Sequence, residues 1–127
     1  MNFPSRPLEA IDGWHAHIYY DPKQTKDAAA RLRARIEEAF PDTRMGGWHD
    51  EIVGPHLVAM YQVAFGTDQF DQLVQWLAVN REGLDILIHP MTENAYNDHV
   101  IFGFWMGTKL PLNEKRLLEF ADRASRR

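Results

Sequence analysis

The stretch GWHAHIYY, residues 13–20, decides the fold because its side chains alternate in character. Successive side chains of a strand point to opposite faces. One face of this strand would carry Trp14, Ala16 and Ile18, and the other would carry His15, His17 and Tyr19. Aromatic and β-branched residues favour a strand, and the Asp-Pro pair that follows ends it. The sequence therefore predicts a strand with one largely apolar face and one face that holds two histidines.

The rest of the chain predicts two helices and three further strands around this one. Helical periodicity covers residues 25–40 and a segment from Gly66-Thr67 to about Asn80. The other strands are predicted at 44–49, 56–65 and 84–89. The order βαββαβ is that of a ferredoxin-like fold. Right-handed crossovers would give the spatial order 4-1-3-2, with both helices on one face.

We therefore predict one α+β domain over residues 1–127, with a ferredoxin-like antiparallel sheet. Residues 1–11 are predicted as an N-terminal arm, and residues 1–10 hold two prolines and mixed charge. An extra strand at 99–106 and a helix from about Asn113 follow the fourth strand. These C-terminal elements would cover the open face of the sheet or extend its edge. A homodimer is the alternative way to cover that face.

Composition excludes several classes of function. The chain has no cysteine, which rules out disulfides, thiolate nucleophiles and zinc–sulfur sites. Its net charge is −4 and it has no basic stripe, so a nucleic-acid partner is not expected. No apolar run approaches the roughly 18–20 residues that cross a membrane, and the N-terminus lacks the apolar core of a signal peptide. A cytoplasmic protein is the expectation.

The six histidines are the candidate functional residues: His15, His17, His49, His56, His89 and His99. We expect strands 1 and 3 to run parallel, and strands 2 and 4 to run against them. This arrangement gathers all the histidines except His99 at one end of the sheet. Side-chain parity then selects four for one face of that end: His15, His17, His56 and His89.

Such a cluster favours a metal site over stacked structural histidines. Protonated imidazoles would repel one another, and buried neutral ones need hydrogen-bond partners. Neutral imidazole is a good ligand for iron, zinc, copper or nickel. Several loop carboxylates near this end could complete a coordination shell: Asp50, Glu51, Glu93 and Asp98. Aromatic side chains could wall a flat pocket there: Trp14, Tyr19, Trp48 and Trp105. Arg81 is instead interpreted as a charge at the end of the second helix.

The chain also resembles a known family over most of its length, from about Ile11 to Gly107. The resemblance is carried by the runs WHAHIYY (14–20), GPH (54–56), WLAVNR (76–81), LIHP (87–90), DH (98–99) and WMG (105–107). In order and spacing these runs are similar to those of the DOPA 4,5-dioxygenase family of small fungal and bacterial proteins.

This resemblance implies an extradiol ring-cleaving dioxygenase that acts on a catechol such as L-DOPA with O₂. It implies Fe(II) as the cofactor, with zinc or another divalent transition metal as the alternative. Carried over by position, the resemblance places His15, His17, His56 and His89 at the metal and in its immediate shell, and His99 matches the family's later Asp-His pair. Of these we assign His17, His56 and His89 as metal ligands and His15 and His99 as acid–base groups, with His17 as a further candidate for the acid–base role. Of the aromatic residues named above, Tyr19, Trp48 and Trp105 are the candidates for the substrate pocket. A carboxylate in place of one histidine ligand stays open.

Other functions remain open at this point. The same pocket could belong to a non-catalytic module that binds an aromatic metabolite. It could also belong to a zinc hydrolase, for instance one that acts on a lactone. Metal content separates the purely structural alternative from the others, and oxygen consumption with catechols separates the dioxygenase from the binder and the hydrolase.

Overall fold

The predicted first strand is the centre of a five-stranded sheet in this computed structural model, which describes residues 3–125 and the side chains up to residue 122. The strands are β1 (Gly13–Tyr19), β2 (Arg44–Met45), β3 (Met60–Phe65), β4 (Ile86–Met91) and β5 (Phe104–Met106). The helices are α1 (Lys26–Ala39), α2 (Phe70–Asn80) and α3 (Glu114–Ser125). Residues 1, 2, 126 and 127 of the predicted domain, two of them in the arm, lie outside the described residues.

The sheet has the order β2-β3-β1-β4-β5, and every neighbouring pair is antiparallel. The predicted order 4-1-3-2 is therefore confirmed, as is the α+β ferredoxin-like fold. The additional strand β5 lies against β4, and α3 follows it. The predicted C-terminal strand and helix thus both exist, with the strand extending the sheet edge.

One face of the sheet packs against α1 and α2. The core there takes alternate residues of β1, namely Ala16 and Ile18, which have no solvent exposure. The helices contribute residues spaced three or four positions apart: Ala29, Leu32 and Ile36 from α1, and Leu73 and Leu77 from α2. Helical spacing places these side chains on one stripe, so burial of that stripe fixes both helices on this face.

Several predicted details of the strands were wrong. Strand β1 runs antiparallel to β3, not parallel, because the crossover through α1 makes β1 and β2 the parallel pair. Strand β3 begins at Met60, so His56 precedes it in a loop. Strand β2 ends at Met45, which leaves His49 with only an isolated bridge to Met60. His99 lies in a π-helical turn, Asn97–Ile101, and not in a strand.

The second face of the sheet is covered by the chain itself. A smaller apolar cluster forms there from Tyr19, Met60 and Leu87, with Val58, Trp105, Leu110 and Leu112 packed on it. The C-terminal part of the chain therefore helps to cover this face, which was one of the two alternatives. A homodimer stays a prediction, but an uncovered sheet face no longer argues for it. Within the described residues, no helix has the length and apolarity that a membrane span requires.

Candidate metal centre

Two neighbouring strands bring the first three histidines together. His15 on β1 lies directly opposite His89 on β4, and His17 lies two residues further along the same face of β1. The ring centroids of His15 and His89 are 5.2 Å apart, and those of His17 and His89 are 5.0 Å apart. The alternation of β1 thus places both of its histidines on the face opposite to α1 and α2, as predicted.

The other two histidines reach this face from outside the strands. His56 lies in the loop before β3, held by isolated bridges to Val53 and Leu112, and its ring is 4.2 Å from that of His17. His99 lies in the turn Asn97–Ile101, with its ring 3.9 Å from that of His89. Five imidazoles therefore form one group, the histidine cluster: His15, His17, His56, His89 and His99.

Two sets of three within the histidine cluster have the spacing of metal ligands. One set is His15, His17 and His89, and the other is His17, His56 and His99. In each set the ligand atoms lie within 4.8 Å of one another. His17 belongs to both sets, which makes it the central residue of the cluster. Neither set is identical to the predicted ligands His17, His56 and His89, but each set contains two of them.

The polar atoms of His17 test whether a metal fits here. Its Nε2 lies 2.9 Å from Nε2 of His89, while its Nδ1 is buried and has no hydrogen-bond partner. A buried polar atom without a partner costs free energy, and native structures rarely keep one. The residues present therefore fit a divalent transition metal, which would bind imidazole nitrogens that hydrogen bonds leave free.

Backbone carbonyls fix the tautomers of two cluster members. Nδ1 of His89 donates to the Pro90 carbonyl at 2.9 Å, and Nδ1 of His99 donates to the Ala95 carbonyl at 2.7 Å. A carbonyl can only accept, so the proton of each ring is on Nδ1 and the lone pair is on Nε2. Hydrogen bonds of this kind orient the histidine ligands of metals.

Burial keeps the cluster neutral. Desolvation lowers the pKa of His56 to about 3, and the repulsion that a second proton would meet from a protonated His99 adds to this effect. The same two causes, with a further contribution from Arg44, lower the pKa of His15 to about 4. Burial also holds the pKa values of His17, His89 and His99 below the ordinary range. Neutral imidazole is the form that binds metals, so the cluster is ready for a cation at neutral pH.

Aromatic side chains border the cluster on the side of β5. The Tyr19 hydroxyl and Nδ1 of His56 are 2.8 Å apart, and the Tyr19 ring stacks on Trp105 with centroids 5.6 Å apart. A small cavity of about 90 Å³ adjoins His99 and Trp105. The structure therefore brings two of the three predicted pocket residues, Tyr19 and Trp105, close to the histidines.

Trp48 is not near the cluster, and its placement there was wrong. Its ring packs against Tyr61, at a centroid distance of 4.9 Å, on the face that holds the helices. Trp14, also expected at the pocket, packs against Phe70 of α2 on the same side. His49 is exposed and belongs to neither set of three. The short β2 explains the errors for Trp48 and His49, because the chain leaves the sheet after Met45.

Among the described residues, carboxylates take no part in either set of three. Asp98 is buried but accepts hydrogen bonds from the Thr92 amide at 2.9 Å and the Thr92 hydroxyl at 2.5 Å. Asp50 pairs with Lys26, and Glu93 pairs with Arg6. The donor set is therefore imidazole alone. Arg81 donates to the carbonyls of Ala78 and Leu84 at the end of α2, the role predicted for it.

Sequence reasoning missed how His99 enters the cluster. The residues alone placed it on a strand, and only the family resemblance pointed to the site. The signal that could have located it is the spacing of Asn94 and Asp98, whose side chains hold the turn through the Asn97 amide and Thr92. Polar residues that bond to nearby backbone in this way favour turns over strands.

With this geometry established, comparison with known proteins places the chain. The model of the Dopa 4,5-dioxygenase family matches residues 14–116. The chain belongs to the DOPA 4,5-dioxygenase family. A crystal structure from Nostoc punctiforme, described as a "putative dioxygenase", has a TM-score of 0.87 and 44% identity to this chain. The match covers 91% of this chain and 99% of that one.

Two curated fungal proteins are also similar. An "Uncharacterized 21.2 kDa protein" of Botryotinia fuckeliana is 37% identical over 86% of this chain and 66% of its own length. The "DOPA 4,5-dioxygenase" of Amanita muscaria is 32% identical over 81% of this chain and 48% of its own length. The chain thus spans from about half to about two thirds of these relatives. The activity in the name of the Amanita muscaria protein is therefore that of a longer protein.

Proposed function

We propose that this protein is a non-haem, metal-dependent extradiol dioxygenase that opens the ring of a catechol such as L-DOPA with O₂. The observation that carries the proposal is the histidine cluster around His17, whose Nδ1 is buried without a partner. Family membership supports the same activity, because the Amanita muscaria relative is named a DOPA 4,5-dioxygenase.

Fe(II) is the metal that we propose, with zinc as the alternative. When bound, it would supply open coordination positions for the two catechol oxygens and O₂. We propose His17, His56 and His89 as its ligands. Their burial supports this assignment, since each is at most 4% exposed and none lines either of the two cavities that adjoin the cluster.

His15 and His99 are the proposed acid–base groups, and the cavities support this division of roles. Each of them is partly exposed and lines a cavity, His15 the larger one of about 320 Å³ and His99 the smaller. Because His15 lines this cavity, its imidazole is placed to accept the proton of a catechol hydroxyl. The same group can return that proton to the ring-opened product.

The test is oxygen uptake by the protein after it is loaded anaerobically with Fe(II). L-DOPA should be consumed together with O₂, with the appearance of a yellow ring-opened product. His17→Ala should lose both the metal and the activity, while His49→Ala is the matched control because His49 is exposed outside the cluster. His15→Ala should retain the metal and lower turnover by about 10²–10⁴-fold, the usual contribution of an acid–base group.

Two results would contradict the proposal and identify its replacement. If the iron-loaded protein binds catechols without taking up oxygen across a broad panel, it is a binding module. If the zinc-loaded protein hydrolyses lactones while the iron-loaded protein leaves catechols intact, it is a hydrolase.

A further inference from the structure

The larger cavity beside the histidine cluster contains a charged group that the proposed chemistry does not use. This cavity, of about 320 Å³, opens at the end of the sheet where β1 begins, and its lining includes Trp14, His15, Arg44 and Ala64. Pockets of this size hold small organic ligands. His15 is the member of the cluster that lines this cavity, so a catechol ring held beside His15 would place its substituent here, and the lining would then decide which substituents are accepted.

Arg44 and the cluster lie in one row across the sheet. Arg44 of β2 is opposite Ala64 of β3, Ala64 is opposite His15, and His15 is opposite His89. Residues directly opposite one another on neighbouring strands point to the same face. Neighbouring strands are about 4.8 Å apart, so the Cα atoms of Arg44 and His15 are separated by roughly 10 Å. Between them, the small side chain of Ala64 leaves space above the sheet.

The guanidinium of Arg44 has no partner within the part of the chain that the structure describes. Arg6, Arg31, Arg33 and Arg116 form ion pairs there, whereas the side chain of Arg44 forms neither an ion pair nor a hydrogen bond. Its charge still reaches the cluster, because it is the third cause, after burial and His99, of the lowered pKa of His15. Arg44 is thus a free cation that faces the cavity in which His15 lies.

The chemistry of this group points to one kind of substituent. A guanidinium binds a carboxylate through two parallel hydrogen bonds. Asp12 and Asp42 also line the cavity, and their negative charges disfavour a polyanion such as a phosphate ester. A single carboxylate on a short side chain would extend from a ring held near His15, across Ala64, to Arg44.

We propose that Arg44 determines substrate specificity by binding a carboxylate on the ring substituent of the catechol. This inference rests on the proposed function and deepens it, because it makes catechol acids preferred over neutral catechols. Arg44 positions the substrate and does not take part in the ring-opening chemistry.

The experiment compares a catechol acid with a neutral catechol in wild-type protein and in Arg44→Gln. The probes are 3-(3,4-dihydroxyphenyl)propionate and 4-methylcatechol. Arg44→Gln should raise KM for the acid by about 10–100-fold, the contribution of a charge-assisted hydrogen bond, with kcat changed by less than about 3-fold. The kcat/KM for 4-methylcatechol should stay unchanged, and Arg44→Lys should restore part of the affinity for the acid.

Lys109 provides the matched control. It is an exposed lysine that lines the smaller cavity beside His99 and Trp105. Lys109→Gln should leave KM for both probes unchanged. If Lys109→Gln raises KM for the acid and Arg44→Gln does not, the carboxylate lies in the smaller cavity and the inference is wrong. An equal loss of kcat/KM for the acid and for 4-methylcatechol in Arg44→Gln would also overturn the inference.

A binding measurement separates this inference from the proposed function. The compound 3-phenylpropionate has the carboxylate but no hydroxyl groups, so its binding needs neither metal nor turnover. Calorimetric titration of metal-free protein should show affinity about 10–100-fold weaker in Arg44→Gln than in wild type. If this difference is present while no catechol is oxidised, only the dioxygenase proposal fails. If wild type and Arg44→Gln bind 3-phenylpropionate equally, the role of Arg44 fails whatever the activity.

Discussion

The two faces of β1 use the same seven-residue strand in opposite ways. On one face, Ala16 and Ile18 are fully buried against the helices. On the other, His15 and His17 are held among three further imidazoles, and Nδ1 of His17 has no partner. The first face stabilises the fold through burial of apolar surface. The second buries polar groups that a core chosen for stability alone would avoid.

This difference separates stability from function along a single strand. Buried apolar side chains are stabilising as they stand, whereas buried imidazoles need a ligand to satisfy them. Substitutions on the helix face should therefore change the free energy of unfolding and leave metal binding intact. Substitutions on the histidine face should do the reverse, because proteins give up stability at functional sites.

The largest effect is expected from Ile88→Ala on β4. Ile88 is fully buried on the helix face, so its truncation should lower the free energy of unfolding by about 2–5 kcal/mol. Denaturant unfolding of metal-free protein measures this loss. Equilibrium dialysis should show unchanged metal affinity in the fraction that remains folded. A loss of metal affinity comparable to that of a histidine variant would mean that the two faces are not separable.

The opposite result is expected from His17→Leu. Leucine fills the site without a polar atom, so metal-free protein should be as stable as wild type or more stable. Metal affinity should fall by at least about 100-fold, since the central ligand is removed and supporting groups alone are worth 10–100-fold. Ile18→Val is the matched control on the other face, with a loss of about 0.5–1.5 kcal/mol in stability and no change in metal affinity.

The sequence was sufficient for the helix face and for β1. The alternation in residues 13–20 predicted which side chains meet the helices, and the spacing of Leu32 and Ile36 predicted the packing of α1. Strand order also followed from the element order, since the handedness of crossovers restricts it. These features depend on local periodicity and on chain chirality, which a sequence displays directly.

The histidine face was only partly predictable, because two of its members lie on irregular chain. Parity brought His15, His17 and His89 to one face correctly. His56 was assigned to the right face for the wrong reason, since it reaches the cluster from a loop and not from a strand. Nothing periodic marks how residues 46–59 leave and re-enter the sheet, and the same excursion carries Trp48 to the other side. Loop paths depend on tertiary contacts that no local pattern specifies.

The next effect concerns pH. Because burial lowers the pKa values of His56 and His15 to about 3 and about 4, the folded protein resists protonation while the unfolded chain takes up protons near pH 6.5. Stability of metal-free protein should thus be constant above about pH 7 and fall as the pH drops from 6.5 toward 4, by about 1.4 kcal/mol per pH unit for each proton. Urea unfolding across this range measures the slope.

A matched pair of variants assigns that slope to the cluster. His56→Leu should make the slope shallower by one proton, while Ile18→Val on the helix face, which removes no titratable group, should lower stability without changing the slope. A slope that is insensitive to His56→Leu would place the titrating groups elsewhere in the protein.

The smallest effect distinguishes the two sets of histidines that could hold the metal. The Tyr19 hydroxyl contacts Nδ1 of His56 at 2.8 Å, so Tyr19→Phe leaves that nitrogen without its partner while the ring keeps its stacking on Trp105. If His56 is a ligand, as proposed, metal affinity should fall by about tenfold, because groups that orient ligands contribute that much. Tyr20→Phe is the control: it removes a hydroxyl that donates to Asp50 at 2.6 Å on the helix side. Equal metal affinity in wild type and both variants would remove His56 from the ligand set and leave His15, His17 and His89. Each variant loses one hydrogen bond of a tyrosine hydroxyl. A tenfold difference in metal affinity between them therefore shows that the contact with His56 matters, and not the loss of a hydrogen bond as such.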